Sequence, residues 1–278
     1  MHLGRQFFLA IAVVLIPFFG TSRDAVIAQD EPSFDDIALW LNADRGVTTS
    51  DGSTVTNWDD QIGTGQTMLP GDALYNGTAV GSPQLVSSAF PGGFLPAIRF
   101  NGSSDGILLD NPEAFFFPEF TFHLVVNNVD TGRASQCLFA NYRDVTGFGV
   151  GISDGIAGRV KWFTAHPINS LEPAGTGGDL APNTAYIITV NVDSTGTKTL
   201  RVNGGEVGNF AGGGVTYDAP TFHQLTVGYL QNNRQWFGGD IAEVIAYNFD
   251  DDIRTLEVEE YLTQKYLTAP TGPPGIEV

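Results

Sequence analysis

The stretch that decides the fold is AYIITVNVDSTGTKTLRVNG, residues 185–204. Tyr186, Ile188, Val190 and Val192 share one face at a period of two, while Ile187, Thr189 and Asn191 share the other. That alternation marks a strand with one face in a core. The opposite face is half polar and is expected to look into solvent or a groove. Asp193-Ser194-Thr195-Gly196 turns the chain into the run KTLRV, and Asn203-Gly204-Gly205 turns it again. Asn-Gly supplies the positive φ angles of a tight hairpin, so residues 185–210 read as three consecutive antiparallel strands.

The same grammar extends in both directions. IALWL (37–41), PAIRF (96–100), FTFHLVV (120–126), FGVGI (148–152), RVKWFT (159–164), FHQLTVGYL (222–230) and DIAEVIAYN (240–248) are short, β-branched or aromatic runs bounded by Gly, Asn, Asp and Pro. Asn76-Gly77 and Asn101-Gly102 read as further turns. Helical periodicity is convincing only at the end: Asp250, Asp251 and Asp252 offer an N-cap, and Ile253, Leu256, Tyr261, Leu262 and Tyr266 recur at helical spacing. The fold class is therefore all-β, a sandwich of two antiparallel sheets with one short C-terminal helix.

The first residues, MHLGRQFFLAIAVVLIPFFG, place Arg5 before an apolar run that Pro17 interrupts, and Val26-Ile27-Ala28 offers a small-residue cleavage site. Residues 1–28 read as a secretory signal peptide, leaving a domain over 29–269 and a disordered Pro/Gly tail over 270–278. The expected localisation is secreted or cell-surface, with no membrane insertion after cleavage. The formal net charge of −18 argues against nucleic acid or anionic membrane as partners. Cys137 is the single cysteine, so no internal disulfide exists, and its apolar context SQCLFAN reads as a buried inert thiol.

Four segments together carry a resemblance. IALWLNADRGVTTSDGSTVTNWDD (37–60), LPAIRFNGSSDGILL (95–109), KTLRVNGGEVG (198–208), and WFGGDIAEVIAYN (236–248) followed by a helix ending VEEYLTQKY (258–266) resemble bacterial laminin G-like domains. These belong to the concanavalin A-like lectin/glucanase superfamily, and the resemblance spans residues 34–268. It implies a jelly-roll sandwich, mostly in secreted or surface modules that include sugar binders, adhesion modules, calcium-dependent binders, glycoside hydrolases and polysaccharide lyases. Function must come from the sites.

Hydrolases of the superfamily carry their carboxylates in an E-x-D-x-x-E run, which is absent here. Asp240 and Glu243 are three apart, so on a regular strand they point to opposite faces, roughly 10 Å apart along it. Retaining glycosidases need carboxyls about 5 to 5.5 Å apart. Glu257, Glu259 and Glu260 are expected to form a solvated helix face. The lyases use Arg, Gln, His and Tyr; the chain offers His123, His166, His223 and Gln224, but His123 and His223 sit inside apolar runs, as hydrogen-bonded sheet histidines do.

A sugar stacks its C–H face on an exposed ring while its hydroxyls take hydrogen bonds. The candidates for that role are Trp162, Tyr142 and Arg143 in an ANYRD turn, His166, and Asn232, Asn233, Arg234 and Trp236 in NNRQW. Trp40 and Trp58 read as packing residues. Asp59, Asp60, Asp144 and Asp154 are candidate calcium ligands, though no EF-hand spacing exists, and no cofactor is required. The expectation is a secreted non-catalytic carbohydrate-binding or surface-adhesion module whose partner is a polysaccharide or glycoconjugate. The alternatives are a carbohydrate-active enzyme of the same superfamily or a structural envelope protein. The oligomeric state stays open.

Overall fold

The computed structural model describes residues 37–62, 74–90, 95–143, 146–153, 155–164, 169–171, 178–211, 214–215, 217, 224–230 and 235–268. In chain order the strands are β1 (Ile37–Asn42), β2 (Val47–Thr49), β3 (Val55–Trp58), β4 (Gly77–Val80), β5 (Gln84–Val86), β6 (Ala97–Asn101), β7 (Gly106–Leu109), β8 (Phe120–Asn127) and β9 (Gln136–Arg143). They continue with β10 (Thr146–Ile152), β11 (Val160–Thr164), β12 (Asn169–Leu171), β13 (Tyr186–Val192), β14 (Lys198–Val202), β15 (Gly205–Phe210), β16 (Gln224–Val227) and β17 (Gly238–Tyr247), and helix α1 (Asp252–Leu262) follows.

One sheet runs β15-β14-β13-β8-β17-β6-β5, with β1 also on β17; the other runs β12-β11-β10-β9-β16-β7-β4-β3-β2. The pairings within them are antiparallel, so the expected two-sheet sandwich is present. β13, β14 and β15 form the three-stranded meander read from the sequence. Asn203 and Gly204 both take positive φ, 50° and 75°, as the tight turn requires. Asn101-Gly102 also turns, with Gly102 at φ 72°. Gly77 instead opens β4, where an added Cβ would meet Ile107 Cγ2 at 2.3 Å.

The inner faces close on an aromatic centre. Phe148 stacks on Trp162 at 5.2 Å, and Phe120, Phe122, Phe139 and Phe115 pack around them. Ile188, Val190 and Val192 enter this core as the alternation predicts. The other face of β13 corrects the sequence expectation. Ile187, Thr189 and Asn191 are buried rather than solvent-facing, because α1 covers them. Asn191 Nδ2 donates to Asp250 Oδ1 and Thr255 Oγ1, and the Thr189 hydroxyl meets His123 Nδ1 at 3.0 Å.

Helix α1 starts as expected, with the Asp251 carboxylate accepting from the Ile253 and Arg254 amides. The apolar spacing holds at Tyr261, Leu262 and Tyr266, which are buried, and fails in the first turns. Thr255, Val258, Glu259, Tyr261 and Leu262 face the sheet, while Ile253 and Leu256 are 71% and 56% exposed. The reason is polar: the Asn191 bonds to Asp250 and Thr255 set the rotation of the first turn. Glu259, expected on a solvated face, is buried and pairs bidentately with Arg201 of β14 at 2.9 and 3.0 Å.

Strand β17 is the axis of its sheet. β8 lines one side along its length; on the other, β6 pairs its first half and β1 its second. Ile241 pairs with Val126 and Glu243 with Val125, so Ala242 is an extra residue, a β-bulge. Ile241 and Val244 therefore both enter the inter-sheet core, whereas Ala242 packs on the helix side with Glu243. This overturns the expectation that Asp240 and Glu243 point to opposite faces. The bulge flips the parity and puts both carboxylates on the face away from the core.

Candidate functional site

Glu243 is 1% exposed and fully engaged. Its Oε1 accepts from Trp40 Nε1 at 2.7 Å and Tyr261 OH at 3.4 Å, and its Oε2 from Lys265 Nζ at 2.8 Å and Tyr266 OH at 2.7 Å. A carboxylate out of water needs partners of this kind. Burial first, and then the charge of Glu243, push the Tyr266 hydroxyl well above its ordinary range, so the phenol remains a donor. This arrangement ties β1, β17 and the C-terminal helical segment together.

Asp240 is equally buried but meets a different partner. Its two oxygens accept from Arg99 Nε and Nη2 at 2.7 and 2.8 Å, the bidentate fork that guanidinium geometry favours. Arg99 faces it across the β6–β17 ladder, and its side chain is 46% exposed. The hydrogen bonds Arg99 donates to Asp240 raise its pKa further. Each carboxylate is thus committed to its own cation, and neither is free to face a sugar as acid or nucleophile.

Beside Arg99 opens a cleft of about 440 Å³, inside the size range of small-ligand sites. The ends of β6 and β8, the start of β17 and the loop before β13 converge there. Asn101, Asn128, Asp130, Thr131 and Asn183 supply the polar wall beside Pro182, while the side chains of Phe100 and Val129, also at the cleft, are buried in the inter-sheet core. Gly238 and Gly239 complete it, and an added Cβ on Gly238 would lie 3.1 Å from the Asp130 Cβ. Asn128 and Asn183 adopt φ of 51° and 53°, a conformation that asparagine tolerates better than most residues.

Two residues before Gly238, Trp236 is half-buried and stacks on Tyr229 with centroids 5.0 Å apart and planes 11° from parallel. Trp162 does not serve as a platform: it is in the inter-sheet core, where an aromatic on an inward strand position belongs. Tyr142 is a correction too. It lies in strand β9, not in a turn, and is buried edge-on against Phe163 beside Cys137, Ala140 and Leu230. Arg143 ends β9, and its side chain lies outside the described residues, as do His166, Asn232, Asn233, Arg234, Asp144, Asp154 and His223.

Asp60, a candidate calcium ligand, spends its oxygens on the protein instead. Oδ1 accepts from the Trp40 and Ile62 amides and Oδ2 from the Tyr75 amide. Burial pushes its carboxyl up to about 6 against the pull of those amides. Asp59 is half-buried, and among the described residues no group of three or more His, Cys, Asp or Glu side chains could hold a metal ion. Cys137 is buried and its thiol is pushed up to about 12, the inert state its context implies. His123 is a sheet histidine bonded to Thr189, as read from the sequence.

The sequence reading missed Arg99, Asn128, Asp130, Thr131 and Asn183. One signal was available: Arg99 in PAIRF and Asp240 in GGDIAEV are lone opposite charges inside apolar runs, the pattern of a cross-strand pair.

Residues 101–250 match the Laminin_G_3 family model, described as concanavalin A-like lectin/glucanases superfamily. The chain belongs to this superfamily. No curated protein sequence matches it. Among solved structures, this superfamily member is similar to the binding domain of a paraclostridial mosquitocidal protein 1 at 16% identity, with a TM-score of 0.58 over 84% of this chain and 53% of that one. It thus spans about half the length of that structure. Domain 4 of AbnA, a GH43 extracellular arabinanase from Geobacillus stearothermophilus, in complex with arabinotriose, is also 16% identical, with a TM-score of 0.55 over 78% and 93%. A botulinum neurotoxin type C structure, described as showing that cell entry depends on interaction with two ganglioside molecules, is 13% identical, with a TM-score of 0.54 over 82% and 52%. At these identities the likeness is one of fold.

Proposed function

We propose that this chain is a non-catalytic carbohydrate-binding module, exported by its N-terminal segment, that holds a polysaccharide or glycoconjugate in the cleft beside Arg99. The observation that carries the reading is the lining of that cleft. Amides, a hydroxyl, backbone groups, the Asp130 carboxylate and one guanidinium converge on a volume of about 440 Å³, and this suits a ligand rich in hydroxyls. Solved structures of the same fold, one in complex with arabinotriose and one of a toxin whose cell entry is described as dependent on two ganglioside molecules, are consistent with it. Hydrolysis lacks a comparable observation, because Asp240 and Glu243 are each held by their own cation.

Calorimetric titration against a panel of oligosaccharides tests the reading. The wild-type chain should bind at least one. Thr131→Trp, which fills the cleft from a surface loop, should abolish binding with little change in thermal stability, and Trp236→Ala should weaken it if the Tyr229 stack extends the site. Undiminished binding by Thr131→Trp would move the site elsewhere.

A further inference from the structure

We propose that the cleft selects uncharged saccharides over carboxylated ones, and that Asp240 is the positioning residue that sets this preference. The inference rests on the carbohydrate reading above and adds the ligand's charge class to it.

A single exposed arginine in a sugar-sized cleft would ordinarily favour a carboxylate, because a guanidinium offers a planar fork to two oxygens. Here the Nε–Nη2 edge is already taken, and the positive charge is neutralised by the partner. Arg99 directs Nε and Nη2 at Asp240, whose carboxylate is wholly buried and has no other cation against it in the described residues. A uronate or sialate could take that edge only by displacing Asp240, which the β6–β17 ladder holds in place, and on the Nη1 edge it would meet a pair that carries no net charge. Breaking that pair would leave Asp240 buried and unpaired, a costly state.

The remaining charges do not favour an anion either. Asp130 lines the wall, with Arg133 Nε 3.6 Å from its Oδ2, and the other polar side chains of the lining are Asn101, Asn128, Thr131 and Asn183. The two charged side chains of the lining, Arg99 and Asp130, thus each face an opposite charge, inside a protein of formal net charge −18. The outward edge of Arg99 keeps N–H donors beyond the two given to Asp240, and donors of that kind serve neutral hydroxyls without requiring charge neutralisation.

The test uses matched probes on the full chain: lactose against sialyllactose, galacto-oligosaccharide against oligogalacturonate, and xylo-oligosaccharide with and without a glucuronate branch. Wild type should bind a neutral probe at least tenfold more tightly than its acidic counterpart. The gap should persist in 0.5 M salt at about the same size, since the wholly buried Asp240 carboxylate is screened far less than the surface field. Asp240→Asn should release Arg99 and narrow the gap at least tenfold. Thr131→Lys, which adds an unpaired cation without touching the buried pair, should narrow it as well and carries the test if Asp240→Asn does not fold. Equal binding of both members of a pair by wild type, or an unchanged gap in the folded variants, would overturn the inference while leaving the carbohydrate reading in place. Failure of every probe to bind overturns both.

Discussion

Asp240 and Glu243 sit three residues apart on one strand and one face, yet they do opposite work. Glu243 is closed over by the helical segment and shares its charge among Trp40, Tyr261, Lys265 and Tyr266, so it fastens elements together. Asp240 lies where the helix no longer covers the sheet and hands its charge to one half-exposed arginine at the rim of a cleft. The same kind of group ends enclosed in the fold or paired at a cleft rim according to what covers it.

The comparison breaks most visibly at the closed end. Glu243→Ala strands a lysine, an indole N–H and two phenols, and should cost about 3–5 kcal/mol of unfolding free energy in urea titrations. Asp240→Asn should cost clearly less, about 1 kcal/mol, because Arg99 can turn to water. A similar loss in both variants would erase the distinction.

The helix-covered layer also carries a pH signature. His123 is fully buried, and desolvation first, then the charge of Arg201, holds its pKa down to about 3. A histidine whose folded pKa is depressed stays neutral in the native state while the unfolded chain takes up a proton. Stability attributable to it is intact above about pH 6.5 and falls by roughly one kcal/mol per pH unit as pH drops toward 3. Asp60, raised to about 6, acts in the opposite sense between pH 6 and its ordinary value, so the test is a difference. The gap between His123→Gln and wild type in urea melts should close from pH 7 to pH 4, and a pH-independent gap would count against the burial of a neutral ring. The smallest effect belongs to the outer helix face: Ile253→Ser and Leu256→Ser should each shift stability by less than about 0.5 kcal/mol.

Much of the fold was legible because its signals are local. The alternation of residues 185–192, the positive-φ pair Asn203-Gly204 and the Asp251 cap each act within a few residues. Short strands such as β2, β5 and β12, three residues each, left no readable period. The Tyr142 segment read as a turn because Asn and Asp flank it, but pairing to β10 and β16 held it extended. Trp162 carried the chemistry of a platform, and only burial distinguished a packing ring from a binding one.

By itself the sequence determined an all-β sandwich with a closing helix, since strand period, turn chemistry and capping depend on near neighbours. Tertiary structure alone decided the rest. The extra residue Ala242 is invisible until β17 is laid against β8, and it places both acids on one face. The face of α1 that is buried was decided by Asn191, some sixty residues away in the chain. The cleft gathers Arg99, Asp130, Asn183 and Gly238 from four separate segments, and such a site exists only once long-range register has been set.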